Sequence, residues 1–319
     1  MASMASRDAG RATLGWDPAI LPSQAGKVFV VTGGNAGLGY FTSEQLASAG
    51  AHVVLACRNP QRSDAAANAL RGRVPGASVS VISLDVADLH SVRAASSALL
   101  ELDRIDGLVL NAGIVHPPRD RQVSLDGHEL VFATNYLGHF ALVARMLPAL
   151  VRTRGSRVVA LGSMISRVMD SALDDPQLER SYQRWRAYAQ SKIAMQVFGF
   201  ELDRRLHAAN LPVSGLVAHP GYSVSGLSPR IAGVNDPSRL DRLVDKLQGC
   251  TAQSKEAGAW PIVRAAIDPD AVGGQYWGPR LLTKGRPVLQ TPTRTSRDAA
   301  IAARLWQRSE EYSGIEFVM

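Results

Sequence analysis

The order of apolar and helix-like segments is the feature of this sequence that most restricts its fold. Short β-branched apolar runs alternate with longer helix-like stretches at the spacing of βαβ units. The runs predicted as strands are residues 27–32, 51–56, 78–84, 107–110, 157–161, 212–218 and 273–277. They are apolar throughout instead of alternating, which is typical of parallel strands buried on both faces. We therefore expect a doubly wound parallel sheet of Rossmann topology, in a single three-layer α/β/α domain.

A glycine-rich turn, residues 32–39 (TGGNAGLG), follows the first predicted strand and opens the first helix. Glycines at such a turn let backbone N–H groups approach a pyrophosphate at a helix N-terminus, where the helix dipole favours anions. The turn alone is weak evidence, but its strand–turn–helix setting predicts a dinucleotide site. Its predicted contacts are Gly33, Asn35, Gly37, Leu38 and Gly39.

Arg58 stands at the end of the second predicted strand, where a protein that binds NAD presents an acidic residue to the ribose hydroxyls. A guanidinium suits the 2′-phosphate of NADP instead, because its donors are forked and permanently charged. A charge-assisted hydrogen bond of about 1.5–3 kcal/mol would favour NADPH over NADH by roughly ten- to hundredfold. An arginine that only faces water at the strand end is the alternative interpretation.

Three motifs in order resemble one known family. The glycine-rich turn is followed by residues 111–113 (NAG) and then by Tyr188-x-x-x-Lys192, a combination that resembles the short-chain dehydrogenase/reductase family. Residues 56–59 (ACRN) and 134–140 (TNYLGHF) are similar to its retinol-dehydrogenase-like and protochlorophyllide-reductase-like branch. The resemblance implies a Rossmann fold that binds NADP(H).

The resemblance also implies a role for particular residues. The catalytic residues would be Asn135, whose backbone organises a proton-relay water, Ser163, which holds the substrate oxygen, and the pair Tyr188 and Lys192. The implied cofactor contacts beyond the glycine-rich turn and Arg58 are Asp85, Val86, Asn111, Ala112, Gly113, Tyr188, Lys192, Pro220, Gly221, Ser223 and Ser225.

The chemistry of the tyrosine and the lysine supports those roles independently. Tyr188 and Lys192 are four residues apart in a helix-like stretch, so their side chains share one face. A phenol with a pKa of about 10 is a poor base near neutrality, and a nearby ammonium should lower that pKa. Ser163 can hydrogen-bond the reacting oxygen and stabilise the charge that develops there. The spacing alone is common on helix surfaces, but its order after the other two motifs favours the catalytic interpretation.

Three candidate residues keep a second interpretation. Ser166 lies close to Ser163 and is an alternative polar group for the substrate oxygen. Asn135 is also interpretable as bonding only neighbouring backbone in its own helix. His219, at the end of the sixth predicted strand, is more readily a structural residue than an acid.

The sequence departs from the family pattern at a few positions. Ser225 replaces the usual threonine after the Pro-Gly turn, and Ser223 stands where a branched apolar residue is common. Serine keeps the hydroxyl, so we expect cofactor binding to survive. Ala36 occupies a position where some NADP-binding relatives carry a second basic residue, so the preference for NADP rests mainly on Arg58.

The composition of the chain argues against several other classes of protein. The chain has 319 residues, 46% hydrophobic and 20% charged, enough for one large α/β domain. Cys57 and Cys250 lie outside any CxxC or Cys/His cluster, so we expect neither disulfides nor a metal, and a reducing, cytoplasmic compartment. The net charge of +7 is scattered instead of gathered in a stripe, which argues against a nucleic-acid partner. No window approaches the roughly 20 consecutive apolar residues of a membrane span.

The predicted organisation has three parts. Residues 1–25 form an N-terminal arm, residues 26–280 a Rossmann-type catalytic domain whose segment at about 223–256 caps the substrate, and residues 281–319 a C-terminal extension. The arm has no apolar core of a secretory signal, so a disordered arm is preferred over a transit peptide or a vector remnant. Membrane-bound members of the resembled branch carry an N-terminal apolar anchor that this sequence lacks, so retinoid substrates are not implied. A homodimer or homotetramer is the expected assembly, because relatives often pair through the two long helices.

Together these features predict an NADPH-dependent ketoreductase or alcohol dehydrogenase. It would transfer hydride between the nicotinamide and a carbonyl or hydroxyl carbon of a small organic substrate. The alanine- and arginine-rich composition suggests a high-GC bacterial source and a role in secondary metabolism. Two other classes stay open: a non-catalytic NADP(H)-sensing or scaffold protein, and an epimerase or dehydratase that regenerates its cofactor.

Overall fold

The computed structural model describes residues 16–319, so the part of the predicted arm before residue 16 lies outside the described residues. The strands in chain order are β1 Val28–Thr32, β2 His52–Cys57, β3 Ser78–Ser83, β4 Gly107–Leu110, β5 Ser156–Leu161, β6 Val213–Ala218, β7 Ser223–Val224, β8 Gln253–Ser254, β9 Tyr276–Pro279 and β10 Pro287–Leu289. Eight of them form one sheet in the order β10-β9-β6-β5-β4-β1-β2-β3, while β7 and β8 pair separately. Within the large sheet β10 runs antiparallel to β9 and the other pairs are parallel.

The helices cover both faces of this sheet. They are α1 Gly37–Ser48, α2 Pro60–Arg73, α3 Leu89–Leu100, α4 Leu130–Arg152, α5 Arg184–Ala208, α6 Arg239–Leu247, α7 Lys255–Ile267 and α8 Ala299–Ser313. One hydrophobic core joins the sheet to α3, α4, α5 and α8, and a second joins its other face to α1, α2 and α7. The predicted doubly wound, single-domain α/β fold is thereby confirmed.

The strand order reverses between β1 and β4, which are neighbours although β2 and β3 lie between them in sequence. In doubly wound sheets ligands bind outside the carboxyl ends of the strands at such a switch point. Here those carboxyl ends are Thr32 and Leu110, followed by the glycine-rich turn and by residues 111–113. The topology therefore brings the first two motifs to one place.

Two predicted boundaries differ from the structure for identifiable reasons. The seventh strand begins at Tyr276 instead of 273, because Gly274 takes a left-handed φ of 73° that a strand does not accept. The sequence also predicts a helix over residues 126–152. It begins at Leu130 instead, because the buried Glu129 carboxylate accepts hydrogen bonds from the N–H groups of Val131 and Phe132 and caps the helix there.

Residues beyond 280 pack onto the same fold. Arg264 donates to the carbonyl of Pro287 at 2.8 Å and holds β10 at the sheet edge. On α8, the Trp306 ring lies 4.2 Å from the guanidinium carbon of Arg205 on α5. One turn further along α8, Ser309 makes a hydrogen bond of 2.7 Å with the Tyr136 hydroxyl.

Helix α4 is the one helix in residues 16–319 long and apolar enough to cross a membrane. Most of its apolar stretch is buried inside the fold, including Phe140, Val143 and Leu147. Its hydrophobicity is therefore accounted for by packing in the core.

Candidate active site

The glycine-rich turn forms a bare cradle between β1 and α1. Gly33 and Gly37 take left-handed φ values of 65° and 55°, which favour glycine. A Cβ atom on Gly39 would lie 2.3 Å from the carbonyl oxygen of Gly33, so no side chain fits there. Ala36, at the N-cap of α1, has no side chain that could bond the first N–H groups of the helix. Asn35 lies within the same turn, and Leu38 is the second residue of α1 and packs on the core.

Thr32 ties this cradle to the end of β4. Its hydroxyl oxygen accepts hydrogen bonds from the N–H groups of Asn111 and Ala112, both at 2.9 Å. The Asn111 amide donates in turn to the carbonyls of Thr32 and Gly33, at 2.8 and 3.3 Å. His139, fully buried on α4, bonds the same hydroxyl at 2.9 Å. Sequence reasoning missed Thr32 and His139, since their partners lie in distant segments of the chain.

Arg58 lies at the carboxyl end of β2, and its side chain is 76% exposed. Its Nη1 is 3.6 Å from Oδ2 of Asp85, which follows β3, so these two predicted cofactor contacts are neighbours. The other oxygen of Asp85 accepts from the N–H of Ala87 at 2.9 Å. Val86 is buried, and a Cβ atom on Gly138 would collide with its carbonyl, so α4 passes directly against this loop.

Asn135 lies in a π-helical turn of α4, Ala133–Leu137. Its amide oxygen accepts from the N–H of Ile114 at 2.6 Å, and its amide nitrogen donates to the carbonyl of Ile114 at 3.1 Å and to Ser191 at 2.9 Å. The side chain thus joins α4 to the segment after β4 and to α5 instead of bonding its own helix. Gly113 packs against it, because a Cβ atom there would lie 2.9 Å from the Asn135 oxygen. π-Helical turns occur frequently at functional sites.

Ser163 and Tyr188 converge from separate elements. The Tyr188 hydroxyl donates to Oγ of Ser163 across 3.4 Å. Ser166, the alternative serine, is buried and donates to the carbonyl of Ser163 at 2.9 Å, so its hydroxyl is already engaged. The geometry therefore favours Ser163 over Ser166 as the partner of the phenol.

Gln196 holds the serine segment in place and was not identified from the sequence. Its amide donates at 2.9 Å both to the carbonyl of Ser163 and to the hydroxyl of Ser166. A Cβ atom on Gly162 would lie 2.7 Å from the Gln196 side chain, so the contact is close along its length. Its spacing was an available signal, because a residue four positions after Lys192 continues the helix face that carries the predicted pair.

Lys192 is buried, and its Nζ donates to the carbonyl of Leu161 at 2.9 Å. Burial lowers its pKa to about 8. Burial also raises the pKa of Tyr188, and the hydrogen bond to Ser163 opposes that rise. The expected lowering of the phenol's pKa by the Lys192 ammonium is therefore not seen: the net pKa shift of Tyr188 is upward because of burial, so Tyr188 is a neutral phenol near pH 7.

The Pro-Gly turn is fixed by the chain near residue 283. Gly221 has a left-handed φ of 66°, and a Cβ atom there would lie 2.2 Å from the carbonyl oxygen of Thr283. The hydroxyl of Ser223 donates to the carbonyl of Pro220 at 2.9 Å. The hydroxyl of Ser225 makes no hydrogen bond within residues 16–319. Of the two serines, Ser225 thus offers the available hydroxyl.

His219 is buried, and burial lowers its pKa to about 4. Its Nδ1 accepts from the N–H of Gly221 at 3.3 Å. A neutral, buried ring suits the structural interpretation of this residue better than a role as an acid. No group of three or more potential metal-ligating side chains occurs in the part of the chain that the structure describes.

The comparison with known families decides the class of the protein. Residues 27–231 match the model of the short chain dehydrogenase family, which spans every motif described above. The chain belongs to the short-chain dehydrogenase/reductase family. It is therefore an oxidoreductase acting on CH–OH or C=O groups, and the family uses a nicotinamide cofactor.

Individual relatives cover nearly the whole chain. Human retinol dehydrogenase 13 is 32% identical over 302 residues, which cover 92% of this chain and 88% of that protein. Mouse polyprenol dehydrogenase is 34% identical over 306 residues, covering 93% and 87%. A crystal structure of an uncharacterised protein from Mycobacterium paratuberculosis has a TM-score of 0.77 and 36% identity, covering 96% of this chain and all of that one. These similarities place this short-chain dehydrogenase/reductase in the retinol-dehydrogenase-like branch.

A nicotinamide dinucleotide fits the edge of the sheet described here. The glycine cradle leaves room that a Cβ atom would fill, and the uncapped N-terminus of α1 offers N–H groups to an anion. The cradle would hold the pyrophosphate, the ends of β2 and β3 the adenosine, and residues 111–113 and 220–225 the nicotinamide end.

Proposed function

We propose that this enzyme is an NADP(H)-dependent oxidoreductase that interconverts an apolar carbonyl compound and its alcohol. The observation that carries the proposal is the convergence of the Tyr188 and Ser163 hydroxyls, 3.4 Å apart. The buried amine of Lys192, one turn further along α5, donates to the carbonyl of Leu161 at the end of β5. The family gives the type of reaction, and these side chains supply the proton transfer that it needs.

Each side chain has a separate part in the reaction. The cofactor, when bound, supplies the hydride chemistry. In the reductive direction Ser163 donates a hydrogen bond to the carbonyl oxygen, and Tyr188 delivers a proton to that oxygen. Because burial keeps the phenol neutral, Tyr188 holds this proton near pH 7. Lys192 stabilises the phenolate that remains.

Asn135 positions the neighbouring groups of the site. Its side chain fixes the backbone of Ile114 and the hydroxyl of Ser191, and Ser191 lies between Tyr188 and Lys192 on α5. We assign its backbone, in the π-helical turn, to a water that returns the proton to Lys192.

The preference for NADP(H) rests on Arg58. Its exposed guanidinium lies at the end of β2 with no acidic residue at that strand end, and its 3.6 Å contact with Asp85 leaves donors for a phosphate. Its high exposure weakens the attraction through solvent screening, so we expect a preference of about tenfold.

An apolar substrate is supported by the surroundings of the phenol. The Trp185 ring packs edge-on to Tyr188 with centroids 6.4 Å apart and is 45% exposed. Relatives named for retinol and polyprenol point to the same class of substrate. The cytoplasmic location, the homodimer or homotetramer and the role in secondary metabolism stay predictions.

The proposed function is tested by measuring transfer of deuteride from labelled NADPH to a substrate. The purified enzyme is incubated with NADPH that carries deuterium at its transferable position, together with a panel of long-chain aldehydes and ketones. We expect alcohols that contain one deuterium and a matching accumulation of NADP⁺. Binding of NADPH without oxidation of any substrate would favour the scaffold protein, and converted substrate without net NADP⁺ would favour the epimerase or dehydratase.

A further inference from the structure

A lysine outside the recognised motifs stands beside the glycine-rich turn. Lys255 is the first residue of α7, and its Nζ lies 3.4 Å from the position that a Cβ atom would take on Gly37. Two contacts hold α7 against α1 at this point. A Cβ atom on Gly258 would lie 2.9 Å from the Leu38 side chain, and Gln45 donates to the backbone of α7 at 3.0 Å.

The ammonium of Lys255 has an unfavourable electrostatic setting in the protein alone. It lies at the N-terminus of α7 and beside the N-terminus of α1, and both helix ends carry partial positive charge. Within residues 16–319 its Nζ makes no hydrogen bond and no ion pair. Burial lowers its pKa, and the charge of Asp245 opposes this. That carboxylate, however, accepts from the N–H of Gly226 at 2.6 Å.

An anion between Lys255 and the glycine-rich turn would neutralise this unfavourable concentration of positive charge, because it would lie close to the ammonium and to both helix N-termini. We propose that Lys255 binds the pyrophosphate of the dinucleotide and adds a full positive charge to a cradle otherwise made of backbone N–H groups. The inference rests on the proposed function, since it requires that a nicotinamide dinucleotide occupies the cradle.

The position of Lys255 distinguishes the pyrophosphate from the 2′-phosphate. Gly37 opens α1 at the switch point, whereas Arg58 lies at the end of β2 and beside Asp85. The pyrophosphate is common to NADP(H) and NAD(H), so Lys255 strengthens the binding of both by the same factor. It also ties the segment after the Pro-Gly turn to the cofactor, because its own N–H donates to Ser228 at 2.8 Å.

The test compares dinucleotide binding, measured by isothermal titration calorimetry with NADPH and with NADH. In Lys255→Met we expect the Kd of both to rise by roughly ten- to hundredfold, the effect of one charge-assisted bond. The salt dependence of binding should become shallower. Lys255→Arg should keep most of the affinity, and Lys246→Met, at an exposed lysine of α6, should bind like the wild type.

The outcomes separate the two claims. If a folded Lys255→Met, with the melting temperature of the wild type, binds both dinucleotides normally, the inference is wrong while the proposed function stands. Weaker binding of NADPH alone would assign the lysine to the 2′-phosphate and overturn the pyrophosphate site. A wild type that binds neither dinucleotide overturns both claims. Lys255→Gln provides the same comparison should the methionine variant not fold.

Discussion

Tyr188 donates a hydrogen bond to Ser163 across 3.4 Å, although 25 residues separate them in the chain. The contact forms because Ser163 lies two residues after β5 and Tyr188 lies in the first turns of α5, which packs on β5 and β6. Gln196, two turns later on α5, holds the backbone of Ser163 and so fixes one side of this contact. The phenol and the hydroxyl are thus aimed at one point before any ligand binds, which reduces the reorganisation that the reaction requires.

Replacing the strand-end arginine tests the cofactor preference. In Arg58→Gln we expect the Kd for NADPH to rise about tenfold, because one exposed charge-assisted bond is lost, while the Kd for NADH stays unchanged. Both are measured by quenching of protein fluorescence. Arg62→Gln, one turn away on α2 and also exposed, is the matched control. Equal weakening of NADPH and NADH in Arg58→Gln would show that this arginine does not read the 2′-phosphate.

Two glycines in different surroundings, Gly39 in the cradle and Gly72 in α2, predict opposite effects of substitution by alanine. Gly39→Ala would place a Cβ atom 2.3 Å from the carbonyl oxygen of Gly33, so we expect the free energy of unfolding to fall by about 1–3 kcal/mol. Gly72→Ala, in α2 with open space around it, should raise it by roughly 0.5–1 kcal/mol. Urea unfolding measures both, and a Gly39→Ala protein as stable as the wild type would contradict this geometry.

Gln196 is expected to affect turnover separately from stability. Gln196→Leu removes the donor to the carbonyl of Ser163, so kcat should fall about tenfold, the effect of one misplaced hydrogen bond, with an unchanged Kd for NADPH. Gln190→Leu is the control, because Gln190 is also buried on α5 but bonds Asp175 at 3.1 Å. It should lose stability without losing kcat. Equal kcat values for the two variants would show that Gln196 contributes to packing and does not position Ser163 for turnover.

Buried histidines make the fold sensitive to acid. The pKa of His219 is lowered to about 4, against about 6.5 in the unfolded chain. Between these values the unfolded chain binds a proton that the folded protein does not, so the free energy of unfolding falls as the pH falls. The slope from this group is about 1.4 kcal/mol per pH unit. His139, with a pKa lowered to about 3, adds to it in the same direction.

The measurement is urea unfolding at several pH values within that window. His219→Gln should flatten the dependence by one proton's contribution, and His90→Gln, at an exposed position of α3, should leave it as it is. A His219→Gln protein with the slope of the wild type would show that His219 titrates normally in the folded state.

The parallel strands could be predicted from the sequence because burial on both faces leaves continuous apolar runs. Strand β10 could not, since Pro287–Leu289 is three residues long and depends on a hydrogen bond from the distant Arg264. The short pair β7 and β8 likewise arises from tertiary contact, between segments 30 residues apart in register. The apolar pattern of the sequence predicts strands well where burial alone decides the structure, and predicts them less well at the edges of a sheet.

Only part of the candidate site could be predicted from the sequence. The glycine-rich turn and the Tyr188–Lys192 pair could be, because their geometry is set by a single turn or a single helix. The hydrogen bonds of Thr32 could not, because its partners Asn111 and His139 are brought to it by the order of the strands. The direction of the pKa shift of Tyr188 was also not readable, since it depends on how deeply the phenol is buried.

The most direct test of the account is Tyr188→Phe, which removes one hydroxyl and leaves the ring in place. Tyr182→Phe, whose hydroxyl bonds the carbonyl of Pro118, is the matched control. Turnover is measured as oxidation of NADPH with the best substrate of the panel, and NADPH binding is measured in parallel. We expect Tyr188→Phe to bind NADPH like the wild type and to lose turnover by about 10²–10⁴-fold, the usual effect of a general acid. Turnover in Tyr188→Phe equal to that of Tyr182→Phe would contradict the proposed proton transfer.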